Sequence, residues 1–183
     1  MNYLNLIAVI VVAYLAVFAQ ARQTLLRDLF GAQVDLLPSL MVYCALNAGW
    51  GVLAGIALLG GLWFDTLSAN PLGITSLPLF TVAFIVHWHQ DLILREQRYA
   101  QFVLGCFASA LAPFLTVLLL FGAGDKPLIG WGSLWQWFVM TVIGGVFCPF
   151  FFWLFNRLNR DFAYQHLPES TFRSDREVKR GRF

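Results

Sequence analysis

The chain alternates between long apolar blocks and short polar links. Six apolar blocks can be recognised, most of them close to the roughly 20 residues that a helix needs to cross the hydrocarbon core of a bilayer. The blocks run over residues 4–20, 35–47, 50–66, 76–94, 99–121 and 133–156. This pattern predicts an all-α integral membrane protein with six transmembrane helices, of which the second is short for a full crossing.

Composition supports the same class of protein. Hydrophobic residues make up 59% of the 183 residues and charged residues 12%, against roughly 45–50% and 25% in soluble domains. The first block has no Lys or Arg before it and no clear cleavage site after it, so we interpret it as a retained helix rather than a signal peptide. We expect a membrane domain over 1–156 and a basic, mobile cytoplasmic tail over 157–183.

The basic residues predict the orientation, because Lys and Arg accumulate on the cytoplasmic side of membrane spans. With six crossings, both termini lie on one side of the membrane. That side carries nine of the 12 basic residues, and the opposite loops carry Arg22, Arg27 and Lys126. The asymmetry predicts a multi-pass protein of the bacterial cytoplasmic membrane with both termini in the cytoplasm.

The third block carries a row of small residues that ends in a carboxylate. The residues of this row follow helical spacing on one face: Ala54, Ala57, Gly61 and Asp65. Gly51 and Gly55 form a second small pair, with the spacing that allows helices to approach closely in lipid. The pattern predicts that the third helix is the packing centre, with Asp65 facing protein or water rather than lipid.

The stretch after the third block has the composition of a chain reversal. Asn70-Pro71-Leu72-Gly73 suits a type I turn, with Asn first, Pro second and Gly fourth. Asp65 is close enough in sequence to accept hydrogen bonds from the backbone N–H of Leu67 or Ser68 and so to cap this region. We expect this structural role, and ligand binding by Asp65 remains the alternative.

The sequence offers little catalytic or metal-binding chemistry. It contains no nucleophile or zinc-protease motif, and its three cysteines lie inside apolar blocks. His87 and His89 are two residues apart, so a helix would point them in different directions. The side chains that share a face at the end of the fourth block are His87, Asp91 and Arg95, which we interpret as a cytoplasmic charge ladder. We expect no enzyme activity, metal or cofactor.

Three consecutive segments resemble the MreD family of rod shape-determining membrane proteins. They are "VDLLPSLMVYCAL", the glycine-rich "GVLAGIALLGGLWFD" and "SANPLG", within residues 34–94. The resemblance implies that Asp35, Asp65, Pro71 and Gly73 are structural residues. It also implies a non-enzymatic membrane subunit of the elongation, or rod, complex that binds MreC. Further partners would be MreB, RodA and a class B penicillin-binding protein, reached directly or through MreC, with no nucleic acid involved.

The MreD fold is similar to the substrate-binding subunits of energy-coupling-factor transporters, which supplies the alternative function. A vitamin-binding subunit needs several polar or aromatic groups that converge on an external pocket. The external polar residues available here are Asp65, Asn70, Thr75, Ser76, Asp125, Lys126 and Gln136. The sequence therefore leaves two candidate roles, a binding subunit of the rod complex and a transporter subunit.

Overall fold

The computed structural model describes residues 3–22, 31–68, 71–93, 97–124 and 130–164, and all regular structure within these ranges is helical. This confirms the predicted all-α class. The helices are α1 (Tyr3–Arg22), α2 (Leu37–Asn47), α3 (Trp50–Leu67), α4 (Ser76–Trp88), α5 (Arg98–Ala123) and α6 (Trp131–Tyr164), with a 3₁₀ turn at Gln90–Leu92.

Three of these helices, α3, α5 and α6, are long and apolar enough to cross a membrane. These three helices indicate that the chain is a membrane protein. The apolar parts of α1, α2 and α4 are shorter. Helix α2, with 11 residues, is roughly 16 Å long, about half of the hydrocarbon thickness of a bilayer.

Helix α2 is the packing centre of the bundle. Every residue from Leu37 to Leu46 is buried, and α2 contacts each of the other five helices. A helix that is apolar on all its faces is suited to such a position. Tyr43 illustrates the packing, because its ring stacks on Phe155 of α6 at a centroid distance of 4.4 Å and meets Phe152 edge-on. The prediction that the third helix is central is therefore wrong.

Helix α3 lies beside this centre and leaves one side exposed. Its buried stripe is centred on Leu53, Ala57 and Gly60, and at 3.6 residues per turn Ala54 lies at the edge of that stripe. Ala54 is consequently exposed, although Ala57, Gly61 and Asp65 are buried as predicted. Gly51 and Gly55 are also exposed, with open space where a Cβ would lie. Neither glycine mediates a helix contact among the described residues.

The two ends of the bundle are marked by different contacts. At the Asp65 end, Tyr14 of α1 meets Trp63 of α3 edge-on, with ring centroids 5.3 Å apart. At the opposite end, which we call the His87 end, the ring Nδ1 of His87 lies 2.6 Å from the carbonyl oxygen of Ala45, and Trp50 packs on the imidazole. The last turns of α2 and α4 and the first turn of α3 therefore meet at one end.

Helix α6 is longer than the sixth apolar block. It continues to Tyr164, so the first residues of the predicted tail are helical, and Leu158 packs against the hydrophobic core. At 34 residues the helix is roughly 51 Å long, which exceeds the hydrocarbon thickness of about 30 Å. The rest of the predicted tail, 165–183, lies outside the described residues.

Candidate functional site

The carboxylate of Asp65 holds the loop that leads from α3 into α4. Its side chain is 2% exposed. One oxygen, Oδ2, accepts hydrogen bonds from the backbone N–H of Gly73 at 2.8 Å and of Thr75 at 3.2 Å. The other oxygen, Oδ1, accepts a hydrogen bond from the Thr75 hydroxyl. Three donors of one loop are thus satisfied by one side chain, which fixes the start of α4 against the end of α3.

These donors differ from the predicted ones. Leu67 and Ser68 were the expected partners, but the backbone N–H of Ser68 donates to the backbone carbonyl of Asp65 at 3.2 Å and closes the end of α3. The carboxylate instead reaches donors eight and ten residues further along the chain. Local capping rules consider the next two or three residues, so they could not identify a loop that folds back onto the helix.

The turn itself begins one residue later than predicted. The N–H of Ile74 donates to the carbonyl of Pro71 at 3.3 Å, which places Gly73 at the third position instead of the fourth. Gly73 has a φ of +89°, a backbone conformation that a type II turn requires at its third position and that glycine adopts without strain. The N–H of Gly73 donates to Asp65 from this turn. Asn70, the predicted first residue, lies outside the described residues.

Gly61 allows α3 to pass close to the first residue of α4. A Cβ built at this position would lie 2.6 Å from the Cα of Ser76 and 2.7 Å from its backbone nitrogen. The hydroxyl of Ser76 also donates to the carbonyl of Leu58 at 3.4 Å. Gly61 and Asp65 therefore contact the start of α4 from two successive turns of α3. This contact explains why the predicted face of α3 carries a small residue at position 61.

Asp35 precedes α2 at the Asp65 end of the bundle and is buried. Its Oδ1 accepts a hydrogen bond of 2.9 Å from the N–H of Leu37, one of the unpaired donors at the start of α2. The side-chain amide of Gln20 is also buried and has no hydrogen-bond partner among the described residues.

The sequence did not predict a polar contact at the crossing of α2, α5 and α6. The hydroxyl of Ser39 donates to the carbonyl of Gly144 at 2.7 Å, and it lies 3.3 Å from the hydroxyl of Ser109. Both serines are buried. A Cβ at Gly144 would lie 2.5 Å from the Cβ of Ser109, and even closer to its Oγ. Small residues on α5 and α6 therefore bring three backbones together around the central helix.

The predicted charge ladder requires one continuous helix through residue 95, but α4 ends at Trp88. His87 is buried and pairs with the Ala45 carbonyl. Asp91 lies in the 3₁₀ turn that follows and is exposed. The i, i+4 spacing therefore does not place His87 and Asp91 on one helical face. Arg95 lies outside the described residues.

The described members of the predicted external set contact neighbouring groups of the chain itself. Asp65 and Thr75 bond to each other, Ser76 bonds to Leu58, and the Gln136 amide lies 4.0 Å from the sulfur of Met140. Asp125 and Lys126 lie outside the described residues. Among those that are described, no group of three or more His, Cys, Asp or Glu side chains could hold a metal ion.

Comparisons of the chain with protein-family models, with characterised proteins and with solved structures gave no match. The geometry of the chain itself therefore carries the functional argument. Among the described residues, the Asp65 loop and the Ser39–Ser109–Gly144 crossing each pair their polar groups within the chain. Both contacts position helices.

Proposed function

We propose that this chain is a non-enzymatic membrane subunit of the bacterial elongation complex. In this role it binds MreC and links MreB filaments to the peptidoglycan synthases RodA and a class B penicillin-binding protein, and so maintains cell shape. It resides in the cytoplasmic membrane with six membrane-crossing helices and both termini in the cytoplasm. The function is one of binding and positioning.

The observation that carries this proposal is the Asp65 loop. The resemblance to the MreD family depends on Asp65, Pro71 and Gly73, and these three residues lie in one hydrogen-bonded unit. The carboxylate has three donors from its own chain and is buried. A carboxylate that is satisfied internally supports a structural role for this motif, as expected of a subunit that acts through its surface.

The same observation disfavours the transporter alternative. A substrate-binding subunit needs polar groups that remain available to a ligand. Asp65 and Thr75 are two of the seven residues of the predicted external polar set, and they bond to each other. The geometry therefore favours the rod-complex role.

The six-span arrangement predicts where reporter fusions will be active. Fusions after Arg95 and after Phe183 should report a cytoplasmic position, and a fusion after Asp125 should report an external one. The nine-to-three distribution of basic residues supports this orientation. The meeting of the α2, α3 and α4 ends at His87 supports the placement of the α2–α3 and α4–α5 links on the same side. A fusion after Phe183 that reports an external position would contradict the six-span arrangement.

The proposed partner can be tested by purification from bacterial membranes in a mild detergent. MreC should be recovered with the tagged chain, and recovery should depend on an intact Asp65 loop. An unrelated tagged membrane protein of similar size, expressed at the same level, is the control for nonspecific recovery. Recovery of an ATPase module together with a bound vitamin, and without MreC, would instead support the transporter subunit.

A further inference from the structure

A groove opens at the His87 end of the bundle, between the start of α5 and the second half of α6. Its volume is about 430 Å³, within the roughly 300–1,000 Å³ range of small-molecule sites. Its lining residues are Arg98, Gln101, Pro149, Phe152, Trp153, Asn156, Arg157 and Arg160. None of these described lining residues is acidic, so the groove carries a concentrated positive charge.

The arginines reach the groove from both helices. Arg98 is the first residue of α5, where unpaired backbone N–H groups add a partial positive charge. Arg157 and Arg160 are three residues apart on α6 and so share a face. The guanidinium of Arg157 lies 5.7 Å from the ring centroid of Trp153. Like charges that face one groove repel each other, and a bound anion would relieve this repulsion.

The groove also has an apolar part on α6. Pro149, Phe152 and Trp153 of α6 line it, and Trp153 remains 53% exposed. Phe150, which stacks on Trp153, is also exposed. Tryptophan favours the boundary between lipid headgroups and acyl chains. The groove therefore combines a cationic part with an apolar wall that continues onto the outer surface of α6.

We propose that this groove binds the phosphate headgroup of an anionic membrane lipid, with the acyl chains lying along the aromatic surface of α6. Arginine suits this role because its planar guanidinium donates paired hydrogen bonds to phosphate oxygens. Basic pockets between membrane helices are a known form of lipid-headgroup site. The exposed aromatic surface of Trp153 and Phe150 favours a lipid over a free phosphate, because a free phosphate has no acyl chains to pack on it.

The site can be tested with the full-length protein in detergent by native mass spectrometry during titration with phosphatidylglycerol. Phosphatidylcholine, which has no net charge, and inorganic phosphate serve as comparison ligands. The parent protein should bind phosphatidylglycerol in preference to phosphatidylcholine. The triple variant Arg98→Gln/Arg157→Gln/Arg160→Gln should weaken phosphatidylglycerol binding at least about tenfold, since each basic residue near a membrane surface contributes roughly fivefold.

The matched control is Arg173→Gln/Arg176→Gln/Arg180→Gln, which changes the net charge equally but keeps all the described lining residues of the groove. It should retain the affinity of the parent. The single variant Arg157→Gln, at an exposed position, should weaken binding severalfold and keeps the test valid if the triple variant does not fold. An equal loss of phosphatidylglycerol affinity in both triple variants would show that binding depends only on net charge. Binding of inorganic phosphate as strong as that of phosphatidylglycerol would exclude a site specific for lipid. Either result would overturn the proposal.

Discussion

Gly144→Ala should destabilise the helix bundle strongly, although it adds a single methyl group. The new Cβ would lie 2.5 Å from the Cβ of Ser109 and 3.1 Å from the Oγ of Ser39. Both neighbours are buried, so neither can move into open space. Overpacking of this kind costs about 1–3 kcal/mol and occasionally more. We expect a clear fall in the melting temperature of the purified protein, measured in one detergent.

Two control variants separate this effect from a general response to alanine. Gly51→Ala and Gly55→Ala add the same methyl group where nothing lies within 4 Å of it. Alanine also favours the helix over glycine by roughly 1 kcal/mol, so both variants should be at least as stable as the parent. The double variant Gly144→Ala/Ser109→Gly should recover much of the loss, because it removes the opposing side chain. Unchanged stability in Gly144→Ala would contradict the close crossing of α5 and α6.

The sequence predicted the helices better than their arrangement. The length of an apolar run indicates where a membrane helix lies, and α3, α4 and α5 begin within one residue of their predicted starts. It does not show how many sides of a helix are covered. The second block is short for a full crossing, and this shortness is compatible with a helix enclosed by five others. Its contacts join Ser39 to residues 70 and 105 positions away, which no local pattern indicates.

The Asp65 motif shows the same limit on a smaller scale. Its residue types predicted a reversal with a carboxylate that stabilises it, and such a reversal is present. The register of the turn and the identity of the donors depend on how α4 returns along α3, past Gly61 and Ser76. That approach is a tertiary contact. Sequence spacing alone therefore favoured the nearest donors, at Leu67 and Ser68, over those of Gly73 and Thr75.

Asp65→Leu should be the most damaging change in this loop. It removes both acceptors and leaves the buried N–H of Thr75 and the partly buried N–H of Gly73 without their partner. An unsatisfied buried donor costs about 1–3 kcal/mol, so the N–H of Thr75 should cost about that much and the partly buried N–H of Gly73 should add a smaller amount. The melting temperature of the purified protein should fall sharply. Recovery of MreC should fall with it, because the start of α4 loses its attachment to α3.

Asp65→Asn should stay close to the parent protein. An amide oxygen in the place of Oδ2 can accept both backbone hydrogen bonds, as the carboxylate does. The amide NH₂ in the place of Oδ1 can donate to the Thr75 hydroxyl, which is able to accept as well as donate. Thr75→Val is a useful companion, because it removes the hydroxyl donor but keeps the backbone N–H. It should cost about 1 kcal/mol, as expected for one hydrogen bond.

Comparing the Asp65→Asn and Asp65→Leu variants shows whether Asp65 is needed as a hydrogen-bond acceptor or for its negative charge. If Asp65 acts by accepting hydrogen bonds within its own loop, stability and MreC recovery should follow the number of acceptors and be insensitive to charge. Parent and Asp65→Asn would then form one group, and Asp65→Leu would stand apart in both measurements. Damage by asparagine equal to that by leucine would show that the negative charge itself is required. An ionic partner or ligand of Asp65 would then replace the structural role proposed for this loop.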